Sequence, residues 1–151
     1  MGKVLTSIGV TVTVGAFVVA CSGQRPAIVR IEVGRGTVGD SYAVEGGKGL
    51  DVVVQAVTIQ PGAGSGWHTH PGVEVAIIKL GTLTFFDGDD PKCEAKAYTA
   101  GQVATGSGHV HQVRNLGAEP VEIVVTYFNV PPGGPAAVPA ERPTQCPNNL
   151  A

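Results

Sequence analysis

The amino-acid sequence predicts an all-β domain, a sandwich or barrel, and three observations carry that prediction. From Ala27 onward the chain breaks into short apolar or alternating runs rich in Val, Ile, Thr, Tyr and Phe, most of them closed by Gly, Pro or Asp. No stretch after Ala27 sustains apolar residues at helical spacing for three turns. The 151 residues include 22 glycines, which interrupt helices and supply the tight reversals an all-β chain needs.

The chain opens on a segment unlike the rest. Residues 1–20 hold one cation, Lys3, then an uncharged and mostly apolar run from Val4 to Ala20. A basic start, an apolar stretch and small residues read as a secretion signal. Val18, Val19, Ala20 and Cys21 stand in the order of a bacterial lipobox, so the segment resembles a lipoprotein signal. That resemblance implies lipidation of Cys21 and an extracytoplasmic, lipid-anchored domain at the cell membrane. An ordinary cleaved signal and an uncleaved anchor are the alternatives, and both also place the domain outside the cytoplasm. Residues 21–26 read as a tether, 27–130 as the β-domain, and 131–151 as a Pro-rich tail.

Within the domain the expected strands are "AIVRIEVG" (27–34), "LDVVVQAVTIQPG" (50–62), "VEVAIIKLG" (73–81), "TLTFFDGDD" (82–90), "AKAYTAGQ" (95–102), "HVHQVRNLG" (109–117) and "VEIVVTYFNVPP" (121–132). "DGDD" lacks the register of a calcium loop and reads as a hairpin reversal. From Asn129 the chain carries six of its 11 prolines, which cannot continue a central strand, so the end wraps as an extended tail.

One-domain length and a net charge of -2, with Lys and Arg scattered singly, exclude a basic nucleic-acid face. Three cysteines are present; with Cys21 lipidated, Cys93 and Cys146 remain. An even pair in an exported protein favours a disulfide over two free thiols, and a bond would hold the tail.

All four histidines fall in two HxH pairs, His68 with His70 and His109 with His111. Residues two apart on a strand share a face, so each pair is expected to project together. Glu74 follows the first pair across the Pro71-Gly72 turn and can fold back beside the imidazoles. Imidazoles with one carboxylate suit Fe, Mn, Co, Ni, Cu or Zn rather than Ca or Mg. Trp67 points the other way by alternation, toward packing outside the barrel. In step with Glu74 come Ala76 and Ile78, and in step with His111 comes Val113, which predicts a largely apolar pocket.

The spacing of these residues resembles the cupin family. Gly62, His68, His70, Glu74 and Gly81 fill every defined position of its first motif, G(X)5HXH(X)3,4E(X)6G. Gly108, His111 and Asn115 match the latter half of the second motif, G(X)5PXG(X)2H(X)3N. Gly106 stands where Pro is usual, and the opening Gly is shifted to Gly101 or replaced by Ala100; these departures are expected to touch turn shape rather than ligands. The resemblance implies a jelly-roll β-barrel of two facing antiparallel sheets, often dimeric. It implies a single divalent transition metal held by His68, His70, Glu74 and His111. Asn115 reads as structural, and His109 as a rim or outer-shell residue.

Two functions fit such a chain. One is a metal-dependent, dioxygenase-type oxidoreductase toward a small organic substrate, with Glu74 as a candidate base and His109 as a candidate helper behind the ligands. The other is a non-catalytic module that holds a small molecule at the cell surface. Neither Lys79 nor Arg114 is in step to clamp a phosphate, and no Tyr stands near the motifs to act as a dedicated acid.

Overall fold

The computed structural model describes residues 30–147; the expected signal segment 1–20, Cys21 and the 21–26 tether lie outside the described residues. A division falls between Ile31 and Glu32, and the unit beginning at Glu32 contains every strand among the described residues.

Ten strands are present: β1 (Thr37–Val38), β2 (Asp51–Ile59), β3 (His68–Thr69), β4 (Val73–Leu80), β5 (Thr82–Asp87), β6 (Ala95–Thr99), β7 (Gln102–Ser107), β8 (His111–Arg114), β9 (Val121–Val130) and β10 (Val138–Pro139). No helix occurs among the described residues. Two five-stranded sheets form, in the orders β1-β7-β4-β9-β2 and β10-β3-β8-β5-β6. Every pairing is antiparallel except β1 with β7.

Alternation decides what lies between the sheets. Along β4, Glu74, Ala76 and Ile78 are buried, and along β9 the matching set is Val121, Ile123, Val125 and Tyr127. Leu83 from β5 and Ala104 from β7 join them in one core. β5 is buried on both faces, which accounts for the unbroken "LTFF". Phe85 packs on the rings of Tyr98 and His111, while Phe86 joins Cys93, Cys146 and Trp67 in a smaller cluster.

Turn chemistry closes the ladders. β4 reverses into β5 at Gly81, whose φ of 78° suits glycine, and a Cβ there would meet the Pro120 carbonyl at 2.8 Å. The "DGDD" segment is a reversal between β5 and β6. Asp87 accepts the Asp89 N–H, and the Asp90 carboxylate accepts those of Lys92 and Glu94. Those two N–H groups hold the Asp90 carboxyl below the usual carboxylate range.

Three sequence expectations differ from the structure. Residues 30–34 of the expected first strand are not in a strand, and the short β1 begins at Thr37. Gln102–Ser107, whose small and polar residues conceal it, is a full strand between β1 and β4 in the first sheet. The tail does wrap, but it also adds β10 to the edge of the second sheet, where Pro139 lacks only a bond that an edge can spare.

Candidate metal centre

Three strands deliver the four candidate ligands. β3 carries His68 and leads into His70; β4 brings Glu74 to its buried face; β8 opens with His111, paired directly with His68. His70, Glu74 and His111 are 4%, 8% and 1% exposed, while His68 is half-buried. The rings of His68, His70 and His111 stand 4.5 to 5.0 Å apart between centroids.

Their tautomers follow from their partners. His68 Nδ1 lies 2.9 Å from the Gly66 carbonyl, His70 Nδ1 2.6 Å from that of Ala136, and His111 Nδ1 3.2 Å from that of His109. A carbonyl oxygen only accepts, so each Nδ1 carries a proton and donates it, and in the neutral ring, the form that binds metal, Nε2 keeps its lone pair. The three imidazoles each offer a ligand atom within 4.8 Å of the others.

Glu74 Oε2 comes to 2.9 Å from His70 Nε2 and 3.2 Å from His111 Nε2. Both nitrogens are fully buried yet lack a partner in hydrogen-bond geometry, so the approach is close without being aligned along an N–H. Ligand atoms at about 2.1 Å from a common metal, set at right angles, lie about 3 Å apart. Buried lone pairs that converge on a carboxylate at that spacing fit a transition-metal ion by geometry and by donor chemistry.

The site's own fields support an ionised Glu74. Burial pushes its carboxyl up, and the imidazoles of His111 and His70 outweigh this and bring it down to about 2. Burial lowers His68 below the ordinary histidine value. At His70 burial acts the same way, but the Glu74 carboxylate prevails and raises it.

Gly106 corrects the expectation that departures in the second motif concern turns alone. It sits opposite Glu74 in the β4–β7 ladder, and its backbone is packed against Glu74 and His111. His109 and His111 do not share a strand face as expected. β8 begins only at His111, after Gly108 with a φ of 71°, so His109 lies before it with its ring edge-on to His111 at 5.6 Å. Its Nε2 is 3.8 Å from Asp87 Oδ1, and Asp87, Asp89 and His109 gather at the end of β5. Trp67 packs against the Cys93–Cys146 disulfide and Phe86.

Two adjoining cavities of about 330 and 320 Å³ open beside His68 and share Val57, Ser65 and Tyr127. The first also reaches Glu74 and is walled by Ile59, Val113 and Ile123; the second is walled by Trp67 and Pro139. No Lys or Arg lines either one. Arg114 turns away, donating from Nη2 to the Gly62 carbonyl. Tyr127 is the site residue that sequence reasoning missed. It lies far from the motifs, but it is in step with Val121, Ile123 and Val125, and that alternation is the signal that points it inward. Its ring lies 4.9 Å from that of His70, and burial, reinforced by the Glu74 charge, pushes its phenol up to about 12.

The chain has relatives among known proteins. The Cupin domain family model matches residues 55–127. A double-stranded β-helix protein of Klebsiella pneumoniae is 27% identical over 75% of this chain and 90% of its own, with a TM-score of 0.49. A DMSP lyase of Ruegeria pomeroyi is 21% identical over 60% of this chain, with a TM-score of 0.50, and shares the fold. A predicted oxalate decarboxylase of Thermotoga maritima is 28% identical over 49% of this chain, with a TM-score of 0.43. The chain spans 63% of the length of that protein and 44% of the lyase. No curated protein matches the sequence.

Proposed function

We propose that this chain, whose residues 55–127 match the Cupin domain family model, is an exported cupin in which His68, His70, His111 and Glu74 hold one divalent transition metal beside a small-molecule cavity. One observation carries the reading: three imidazoles, each with Nδ1 tied to a backbone carbonyl, bring ligand atoms within 4.8 Å of one another, and Glu74 approaches the Nε2 atoms of two of them, His70 and His111. Such an arrangement is a preorganised donor set with its outer partners in place.

The leading form is a dioxygenase-type oxidoreductase acting on a small organic substrate. A bound redox metal supplies Lewis acidity and electron transfer. The chain supplies the rest. Val57, Ile59, Val113 and Ile123 exclude water from the cavity next to His68. Tyr127, protonated at any ordinary pH, offers a hydrogen-bond donor to a substrate oxygen. With a carboxyl brought down to about 2, Glu74 serves better as a ligand than as the base. A cavity without Lys or Arg favours a substrate whose body is uncharged.

A second reading, a binding module without turnover, is favoured by the scarcity of proton acceptors. The only ionisable groups lining the cavities are His68, Glu74 and Tyr127, and the first two are committed to the metal. Elemental analysis of the purified protein tests the common premise. About one Fe, Mn, Co, Ni, Cu or Zn per chain is expected, and metal-free protein with no change on His68→Ala plus His111→Ala sinks it. Oxygen uptake with uncharged diketone or catechol probes then separates enzyme from binder.

The lipid anchor on Cys21 and the outer membrane-surface location belong to the same proposal, and mass spectrometry of the N-terminal peptide checks them. So does a homodimer. Val52 and Val54, each 60% exposed on the edge strand β2, offer an apolar face for a second copy, and sedimentation is the check.

A further inference from the structure

The C-terminal tail meets the candidate metal centre at three successive points. The Ala136 carbonyl accepts the bond from His70 Nδ1. Val138 and Pro139 pair with Thr69 and His68 across the β10–β3 ladder. The Ala140 N–H then donates 3.0 Å to the Trp67 carbonyl. Further on, Cys146 is 1% exposed and bonded to Cys93, against Phe86 and Trp67, and the Gln145 amide donates to the Gly88 carbonyl.

Packing confines the His70 ring, but its one hydrogen bond is to the Ala136 carbonyl. His70 lies just past the two-residue strand β3, and its two ring nitrogens face Ala136 on one side and the ligand cluster on the other. If the Ala136 carbonyl leaves, the proton on Nδ1 has no acceptor at a site only 4% exposed. The imidazole then either bears an unmet donor or moves the proton to Nε2, which removes the lone pair a metal needs. β10 alone is a weak tether, being two residues long with a proline that has no N–H.

Resting on the reading of His68, His70, His111 and Glu74 as ligands, we infer that the tail is part of the metal centre. Ala136 is a positioning residue that sets the tautomer of His70 through its carbonyl, and the Cys93–Cys146 bond keeps it in place. The disulfide therefore governs metal affinity at a site whose ligands it does not touch.

The test compares the full chain with its C93S/C146S variant, using Co(II) as the probe against a competing chelator. The variant is expected to bind Co(II) about 10- to 100-fold more weakly, the usual cost of losing an outer partner of a metal-ligating histidine. Its β-sheet circular dichroism is expected to be retained. In the metal-free proteins, ¹⁵N chemical shifts are expected to show all three ring protons on Nδ1 in the parent, and in the variant a tautomer mixture at His70 alone while His68 and His111 stay on Nδ1, whereas general loosening of the fold would mix all three. Equal affinity and an unchanged His70 tautomer overturn the inference and leave the metal reading standing. A parent that binds no Co(II) removes the metal reading and the inference with it. If the variant does not fold, the folded parent is reduced with a water-soluble phosphine. The phosphine takes an oxygen atom from water to become its oxide, the S–S bond becomes two thiols, and the same outcomes decide.

Discussion

Gly106 and Glu74 face each other across the β4–β7 ladder, and a Cβ on Gly106 would stand 3.0 Å from Glu74 Oε2 and 3.1 Å from His111 Cε1. Glycine there leaves room for the carboxylate to join the imidazoles. Gly106→Ala is expected to push Glu74 and His111 apart by a few tenths of an ångström and to weaken Co(II) binding about tenfold, on the scale of an outer-shell defect. Titration calorimetry reads this directly, and an unchanged affinity removes Gly106 from the site.

Metal binding is expected to stabilise the folded chain. At a free-metal concentration 100 times the dissociation constant, the linkage contribution is about 2.7 kcal/mol, enough to raise the thermal midpoint by roughly 10 °C in a domain of this size. His68→Ala plus His111→Ala should abolish the rise, read against the variant's own metal-free midpoint, which the truncation of buried His111 lowers. A rise that persists in the double variant locates the metal elsewhere.

The acid limb of stability reports on Glu74. Its carboxyl lies at about 2 in the folded chain and at the ordinary value of 4.5 when unfolded. A depressed folded value gives stability that is present above 4.5 and lost as pH falls toward 2. The urea midpoint of the metal-free protein should therefore drop between pH 5 and pH 2.5, and Glu74→Gln should flatten that drop. An equally steep limb in the variant assigns the acid sensitivity to other groups.

Asn115 is expected to matter for stability and not for metal. It is 1% exposed; its Nδ2 donates to the carbonyls of Ile59 and Glu119, and its Oδ1 accepts the Gly117 N–H. Asn115→Ala strands the buried Ile59 carbonyl, at about 1–3 kcal/mol, and frees the turn at Gly117 and Glu119. Denaturant unfolding should show the loss, while Co(II) affinity of the remaining folded protein stays within a factor of a few.

Strands built on alternation, such as β4 and β9, were legible because their inward residues are apolar and their turns are marked by glycine. β7 was not, because "QVATGS" is small and polar and owes its strand state to neighbours on both edges. The ligand candidates were readable from spacing, since His68, His70, Glu74 and His111 fall at fixed intervals around two turns. The reading of His109 as a rim or outer-shell residue set it apart from His111, while strand alternation alone put both on one face; the positive φ of Gly108 is what parts them. Tyr127 and Ala136 were hidden for another reason: they reach the site through tertiary placement, from strands and a tail with no motif of their own.

The edge position of β3 also sets an order of events. His68 has His111 opposite on one side and Pro139 on the other, so its strand is flanked only when residues 71 positions downstream are in place. A chain emerging from the ribosome can pair β4, β5 and their neighbours well before that. A nascent chain stopped short of residue 138 would carry every candidate ligand and still lack one wall of the strand that presents the first. Completion of the candidate centre is thereby tied to the arrival of residues 136–139, and a chain cut before them is expected to hold a metal more weakly although it keeps every candidate ligand.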